Sequence, residues 1–180
     1  AVVEDFTDRY ENIAVSGLND WMFVVGKAPA FLLNGRVYSC SLICNDIPFG
    51  WRQRYNDDTD LCLQAIAQGW CTVLINAFLM DKIVTMVLKG GNTTDLYQGD
   101  GRLKMARSLE RMWPGVVETH RRFKRPQHVV RDSWRRFDTP LKLKPGIKLN
   151  EMQLNEYGLK LIQVAPEVKS ERLRKLLQGV

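Results

Sequence analysis

The stretch from Asn56 to Ile75 limits what this chain can fold into more than any other part of it. Asn56-Asp57-Asp58-Thr59-Asp60 sets three carboxylates in or before the first turn of a helix, where the positive end of the helix dipole favours them. Leu61, Ala65 and Ile66 continue the helical pattern and Gly69 stops it. Trp70-Cys71-Thr72-Val73-Leu74-Ile75 then runs apolar with little alternation, as a strand buried on both faces does. An acidic helix leading into a doubly buried strand points to an α/β fold. With 45% hydrophobic and 26% charged residues over 180 positions, the chain can bury a core and is not of the disordered class. Its length fits one domain, with or without a tail.

Turn residues divide the rest. A helix remnant precedes the segment Ile13–Val25, in which Gly17 and Asn19 read as turn residues. Val37–Cys44 is β-prone and ends at Asn45-Asp46. Ile47-Pro48-Phe49-Gly50 reads as a turn, and Trp51-Arg52-Gln53-Arg54-Tyr55 as an aromatic and basic loop. A second β-prone run, Lys82–Leu88, leads to Lys89-Gly90-Gly91-Asn92-Thr93. Gly101–Trp113 is an amphipathic helix: Leu103, Ala106 and Leu109, with Met105 and Met112, recur at helical spacing, and Pro114 stops it. A main domain over 1–145 and a basic tail over 146–180 are expected. Within the tail, Tyr157–Val164 reads as a short strand and Pro166–Gln178 as a short helix.

Charge is unevenly spread. Residues 1–100 carry 7 Lys and Arg against 12 Asp and Glu, and residues 101–180 carry 19 against 8. An acidic half beside a basic half fits a site that handles cations or protons next to a surface for a polyanion; a solvated basic face is the plainer alternative. Arg121, Arg122, Lys124, Arg125 and Arg131, interleaved with Phe123 and Trp134, suit contact with a phosphate backbone and stacking on bases. No uninterrupted apolar run approaches the roughly 20 residues of a membrane helix. Ala1–Tyr10 carries Glu4, Asp5 and Asp8 where a signal peptide is apolar, so a soluble intracellular protein without a membrane partner is expected. Cys40, Cys44, Cys62 and Cys71 lack zinc-knuckle spacing and read as buried, reduced thiols.

Several clusters carry possible chemistry, each beside a purely structural reading. Asp57, Asp58 and Asp60 are dense enough to shift one another's protonation or share a cation, and equally suited to capping a helix. Arg52 and Arg54, with Trp51 and Tyr55, fit phosphate oxygens and a base or sugar face, or else pair with the nearby aspartates. Gly90-Gly91-Asn92-Thr93 fits a phosphate-binding turn or an ordinary one. His128 fits a metal or phosphate ligand, or a packing residue. Walker A, Rossmann, GxSxG and HExxH patterns are all missing.

In their order, Arg54-Tyr55-Asn56-Asp57-Asp58-Thr59-Asp60-Leu61, Gly69-Trp70-Cys71-Thr72-Val73, Asn76-Ala77-Phe78-Leu79, Lys89-Gly90-Gly91-Asn92-Thr93 and Asp100-Gly101-Arg102-Leu103-Lys104-Met105-Ala106 resemble the TET-associated glycosyltransferases of bacteriophages. Arg9-Tyr10, Asn12-Ile13-Ala14, Gly17, Asn34 and Val37-Tyr38-Ser39 fit the same pattern. The resemblance implies a GT-A-like mixed sheet flanked by helices. It implies transfer of a sugar from a nucleotide-sugar donor to a hydroxymethylated pyrimidine in phage DNA, in the cytoplasm of the bacterial host. Asp57 and Asp58 fall where the family carries a Glu-Asp pair, which makes Asp58 the expected general base, with Asp57 or Asp60 orienting it or binding the acceptor. Trp51, Arg52, Arg54 and Gly90-Gly91-Asn92-Thr93 are expected to bind substrate. A divalent cation, Mn²⁺ or Mg²⁺, is implied, with His128 completing its site. The family's nucleotide-binding half precedes the region matched by these motifs, so a preceding segment or companion polypeptide is expected to carry it. The alternative is a catalytically degenerate module of the same fold that binds DNA or protein.

Overall fold

The apolar run that opens at Trp70 becomes a central strand, β4 (Cys71–Met80), and the other elements are arranged around it. The computed structural model describes residues 2–24, 26, 28–83, 99, 101–131, 134 and 137–148. Among them are α1 (Val2–Asp8), β1 (Ile13–Asp20), a 3-10 turn (Trp21–Phe23), β2 (Phe31–Leu33), β3 (Ser41–Ile43), α2 (Asp57–Ala67), α3 (Gly101–Met112), β5 (Val117–Arg122) and β6 (Arg125–Val130). The first four strands form one mixed sheet in the order β2-β4-β1-β3. β1 and β4 are parallel; β2 and β3 run antiparallel to their neighbours. β5 and β6 form a separate hairpin. The class is mixed α/β.

Successive side chains of a strand point to opposite faces, so β4 needs apolar cover on both sides. Val73 and Ile75 pack with Ile13 and with Val3 and Phe6 of α1. Leu74 packs on the other side with Ala14, Val15 and the α2 residues Leu61, Cys62 and Ala65. The far side of α2 supplies Leu63 and Ile66, which meet Leu109 of α3 and Val117 of β5. The hairpin is tied to α3 by Glu110, whose carboxylate accepts from the Thr119 backbone N–H (3.2 Å) and hydroxyl (2.9 Å).

Several local readings are corrected. Gly17 and Asn19 are not turn residues but lie inside β1, because tertiary pairing with β3 and β4 overrides their turn propensity. Val37–Cys44 forms a strand only over Ser41–Ile43, since Cys40 sits at φ 46° and breaks the extended run. All four cysteines are free, but only Cys62 and Cys71 are buried; Cys40 is exposed. The segment after Asp138 is anchored to the domain. Asn12 donates to the Pro140 carbonyl (2.9 Å) and accepts from the Lys142 N–H (2.8 Å), and the Lys144 N–H reaches the Arg9 carbonyl (2.9 Å). Lys82 and Ile83 are in no strand, and the remainder of the run to Leu88, the Gly90–Thr93 turn, and the tail strand and helix lie outside the described residues. No helix among the described residues is long and apolar enough to cross a membrane.

Gly17 is needed for closeness rather than for a turn. A Cβ there would lie 2.6 Å from Val37 Cγ1 and 3.0 Å from the Cys40 carbonyl oxygen. Gly17→Ala should therefore lower unfolding free energy by about 1–3 kcal/mol in urea titrations. Adding Val37→Ala should make the double mutant less unstable than the sum of the two changes.

Candidate active site

In open α/β sheets, ligands collect beyond the carboxyl ends of the parallel strands. Here that edge is polar and bulged. Leu18 pairs with Ile75 but the next residue, Asn19, pairs with Leu79, so β4 carries three extra residues at this point. The Asn76 and Ala77 N–H groups turn to the Ala30 carbonyl at 2.8 and 2.9 Å. Asn76 accepts from Asn19 Nδ2 (2.9 Å), and Asn19 Oδ1 accepts from the Tyr38 hydroxyl (2.7 Å). That hydroxyl in turn accepts from the Asp20 N–H at 3.0 Å. Asp20 Oδ1 accepts from the Met22 N–H (3.0 Å), which starts the 3-10 turn. Burial pushes the Tyr38 phenol above its ordinary pKa, so it remains a protonated donor.

Against this edge lies a cleft of about 610 Å³, lined in part by Asp20, Phe23, Arg36, Tyr38, Arg102 and His128. A smaller cavity of about 190 Å³ adjoins it at Tyr38 and is lined by Trp51, Asp57, Asp58 and Cys62 among others. Asn19, Asp20, Arg36, Tyr38 and Asn76 are absent from the site expected from sequence. One signal for them exists in hindsight: Asn19-Asp20 closes an otherwise apolar run, where a parallel strand would reach its carboxyl end.

The acidic cluster divides by role. Asn56 precedes α2 in the left-handed region (φ 53°, ψ 31°) and makes no side-chain cap; its Nδ2 donates instead to the Met105 carbonyl on α3 (2.9 Å). Asp57 is exposed at the wall of the small cavity. Asp58 is 23% exposed, and its Oδ2 receives Arg36 Nε (3.1 Å) and Nη2 (2.7 Å). Its Oδ1 accepts from the Thr59 N–H at 2.6 Å. Asp60 is fully buried. It takes Arg52 Nε (3.0 Å) and Gln64 Nε2 (3.0 Å) on Oδ2, and Arg52 Nη2 (2.5 Å) and Trp113 Nε1 (2.7 Å) on Oδ1. Four donors saturate a carboxylate with no path to solvent, so its place is structural rather than at a reacting atom.

The other expected residues are dispersed. Arg52 is committed to Asp60 and lies 5.5 Å over the Trp113 ring, so both its charge and its plane are engaged. Trp51 (59% exposed) flanks the small cavity, while Arg54 is exposed. Arg121, Arg122, Lys124 and Arg125 are exposed around the hairpin turn. Arg131 pairs with Glu118 (3.5 Å), whose carboxylate His120 and Arg131 hold below its usual range. His128 on β6 lines the large cleft, where burial, with Arg36 adding to it and Asp58 opposing, lowers its pKa to about 4. It is neutral at physiological pH. A divalent cation at His128 does not fit the described residues: no three His, Cys, Asp or Glu side chains among them form a ligand set, and Arg36 repels a cation there.

A mixed α/β domain with a polar cleft beyond the carboxyl ends of its parallel strands belongs to the broad class that binds ligands at that edge. Within it, the chain belongs to the TET-Associated Glycosyltransferase family, whose family model matches residues 1–91. That segment includes the acidic cluster and the Asn19–Tyr38–Asn76 network, and it stops short of α3 and the hairpin. No curated protein and no solved structure matches the chain.

Two measurements test this anatomy. Asp60→Asn puts an amide donor among Arg52, Gln64 and Trp113, and should cost about 2–3 kcal/mol in chemical denaturation; the half-exposed Arg52 regains some water, which keeps the loss below that of a fully buried pair. His128 gives a pH signature. Below its ordinary pKa of 6.5 the unfolded chain takes up a proton that the folded chain refuses until about pH 4, so stability rises with pH across that window and is level above it. His128→Gln should remove this contribution, at most about 3 kcal/mol, in unfolding curves run from pH 4 to 7.

Proposed function

We propose that this chain, in a GT-A-like fold, moves a sugar from a nucleotide-sugar donor onto the hydroxymethyl group of a pyrimidine in DNA. The observation that carries this reading is the carboxylate pair Asp57 and Asp58 in a small cavity that shares Tyr38 with a larger cleft lined by cations and aromatic rings. A cleft of about 610 Å³ lies within the size range of small-molecule sites. Arg36 and Arg102 suit a diphosphate, and Phe23 and Tyr38 suit a base or sugar face. The smaller cavity, with Trp51 at its wall, suits a single extruded pyrimidine. A base in a duplex must leave the stack for its substituent to enter such a cavity. The exposed cations of the hairpin suit the flanking backbone.

The chemistry assigned to the chain is proton transfer with positioning. A hydroxymethyl oxygen attacks the anomeric carbon of the donor, and the bond from that carbon to the nucleoside diphosphate breaks, its electron pair leaving with the diphosphate. Asp58 accepts the hydroxyl proton as the new bond forms. The Arg36 fork on Oδ2 and the Thr59 N–H and hydroxyl on Oδ1 hold the carboxylate in place, and Oδ1 takes the proton by exchanging the longer Thr59 hydroxyl contact (3.2 Å) for the acceptor hydroxyl. Asp57 orients the acceptor from the cavity wall. Arg36 also faces the larger cleft, which lets one guanidinium hold the base and favour the leaving diphosphate.

The second reading, a module that binds DNA without turnover, is favoured by one observation: Arg36 already neutralises Asp58 through two contacts to a single oxygen. Calorimetry with a panel of nucleotide sugars separates the two. Binding of any donor supports the enzyme, and a blank across the panel supports the module. Asp58→Asn should lower transfer about 10²–10⁴-fold while duplex affinity stays within about twofold. Undiminished transfer by that variant removes Asp58 from the reaction.

A further inference from the structure

The hairpin turn carries a feature that neither packing nor turn chemistry accounts for. Arg122 pairs with Arg125, so the loop between β5 and β6 is the two residues Phe123 and Lys124. Both have positive φ, 51° and 63°, the backbone of a type I′ turn. That turn favours Asn and Gly, since a side chain in the left-handed region is crowded. Here a bulky aromatic residue occupies the first position. It is 83% exposed, the most exposed of the large hydrophobic side chains of the described residues. Two arginines precede it and a lysine and an arginine follow it, all exposed. Arg122 and Arg125 face one another across the strands, a like-charge pair that repels unless an anion lies between. Phe123 also reaches the rim of the large cleft.

We infer that Phe123 is a wedge that enters the base stack of duplex DNA when the target pyrimidine is extruded. The inference rests on the DNA-glycosylating reading and adds to it the residue that opens the duplex. The partner follows from charge and shape together. Four exposed cations within two positions of the ring suit a dense polyanion. An apolar ring held at the tip of a strained, well-anchored turn matches the side chains that partly unstack a base step and occupy the gap. The hairpin is rigid enough for this role, since Val117 is buried in the core beside Leu109 and Thr119 is held by Glu110. A merely solvent-facing turn would do better with Asn-Gly in the same two positions.

The test uses the full chain, a duplex with 2-aminopurine beside a central 5-hydroxymethylcytosine, and Phe123→Asn, which removes the ring and suits the left-handed backbone. Wild type should raise 2-aminopurine fluorescence several-fold on binding. Phe123→Asn should bind the duplex with the same dependence on salt concentration yet lose most of that rise, and Phe123→Trp should restore it. A full rise with Phe123→Asn overturns the wedge, as does a wild type that binds the duplex without any rise. So does a variant whose only defect is weaker nucleotide-sugar binding, which would place the ring on the donor side. A normal, Phe123-dependent rise with no sugar transfer leaves the wedge standing and removes the transferase reading. Transfer that is indifferent to Phe123, together with an undiminished rise, does the reverse.

Discussion

The arrangement of the site depends on one buried charge. Asp60 sits in the first turn of α2 with no exposure, and four donors from Arg52, Gln64 and Trp113 surround it. Taking a carboxylate out of water is expensive, and only dense, well-directed donors offset it. Those donors come from the loop before α2, from α2 itself and from the end of α3. The same interaction therefore fixes the 51–56 loop, the start of α2 and the approach of α3. Arg52, held by Asp60 and lying over Trp113, keeps this loop against the domain. Asp57 and Asp58 lie one turn or less from this anchor, so their directions are settled by a residue that takes no part in the proposed chemistry.

A second constraint comes from the strands. β1 and β4 are parallel and covered on both faces, which leaves their carboxyl ends as the open edge of the sheet. Three extra residues in β4 bend it away from β1 there, and Asn76 turns back to bond Asn19. The bulge thus fills a gap in the ladder with a bonded polar network, buried at Asn19 and Asp20, which the cleft meets at Asp20 and Tyr38. Arg36 joins this network to the acidic cluster. It pairs with Asp58, lies 5.4 Å over the Tyr38 ring and adds to the lowering of the His128 pKa.

Much of the core was legible in the sequence because it rests on local pattern. The acidic start of α2, the stop at Gly69, the apolar β4 run and the spacing of Leu103, Ala106 and Leu109 all mark elements that form. What escaped depends on contacts distant along the chain. Gly17 looks like a turn until the segment around Val37 presses against it. Phe123-Lys124 carries none of the usual hairpin residues, so the basic stretch gives no hairpin signal although it folds into paired strands. The acidic triplet marked the right place without dividing the labour. No spacing rule shows that Asp60 turns inward to a tryptophan 53 positions away while Asp58 turns to an arginine 22 positions back. The contact between Asn19 and Asn76 is equally silent, since it depends on a bulge.

The hairpin shows how far local stability is subordinated to position. Two left-handed non-glycine residues and a facing pair of arginines each disfavour the turn, by about 1–2 kcal/mol for each backbone position. Nothing among the described residues at the tip offsets this, because Phe123 and the flanking cations are exposed. The compensation lies at the other end, where Val117 is buried and Val130 packs against the same cluster as Trp113 and Leu109. Strand pairing then transmits that anchorage to a tip that would not hold its shape alone. A structure arranged in this way keeps an apolar ring and four cations in a fixed relation to the cleft, and the cost of doing so is borne by core contacts some 5 residue pairs away along the ladder.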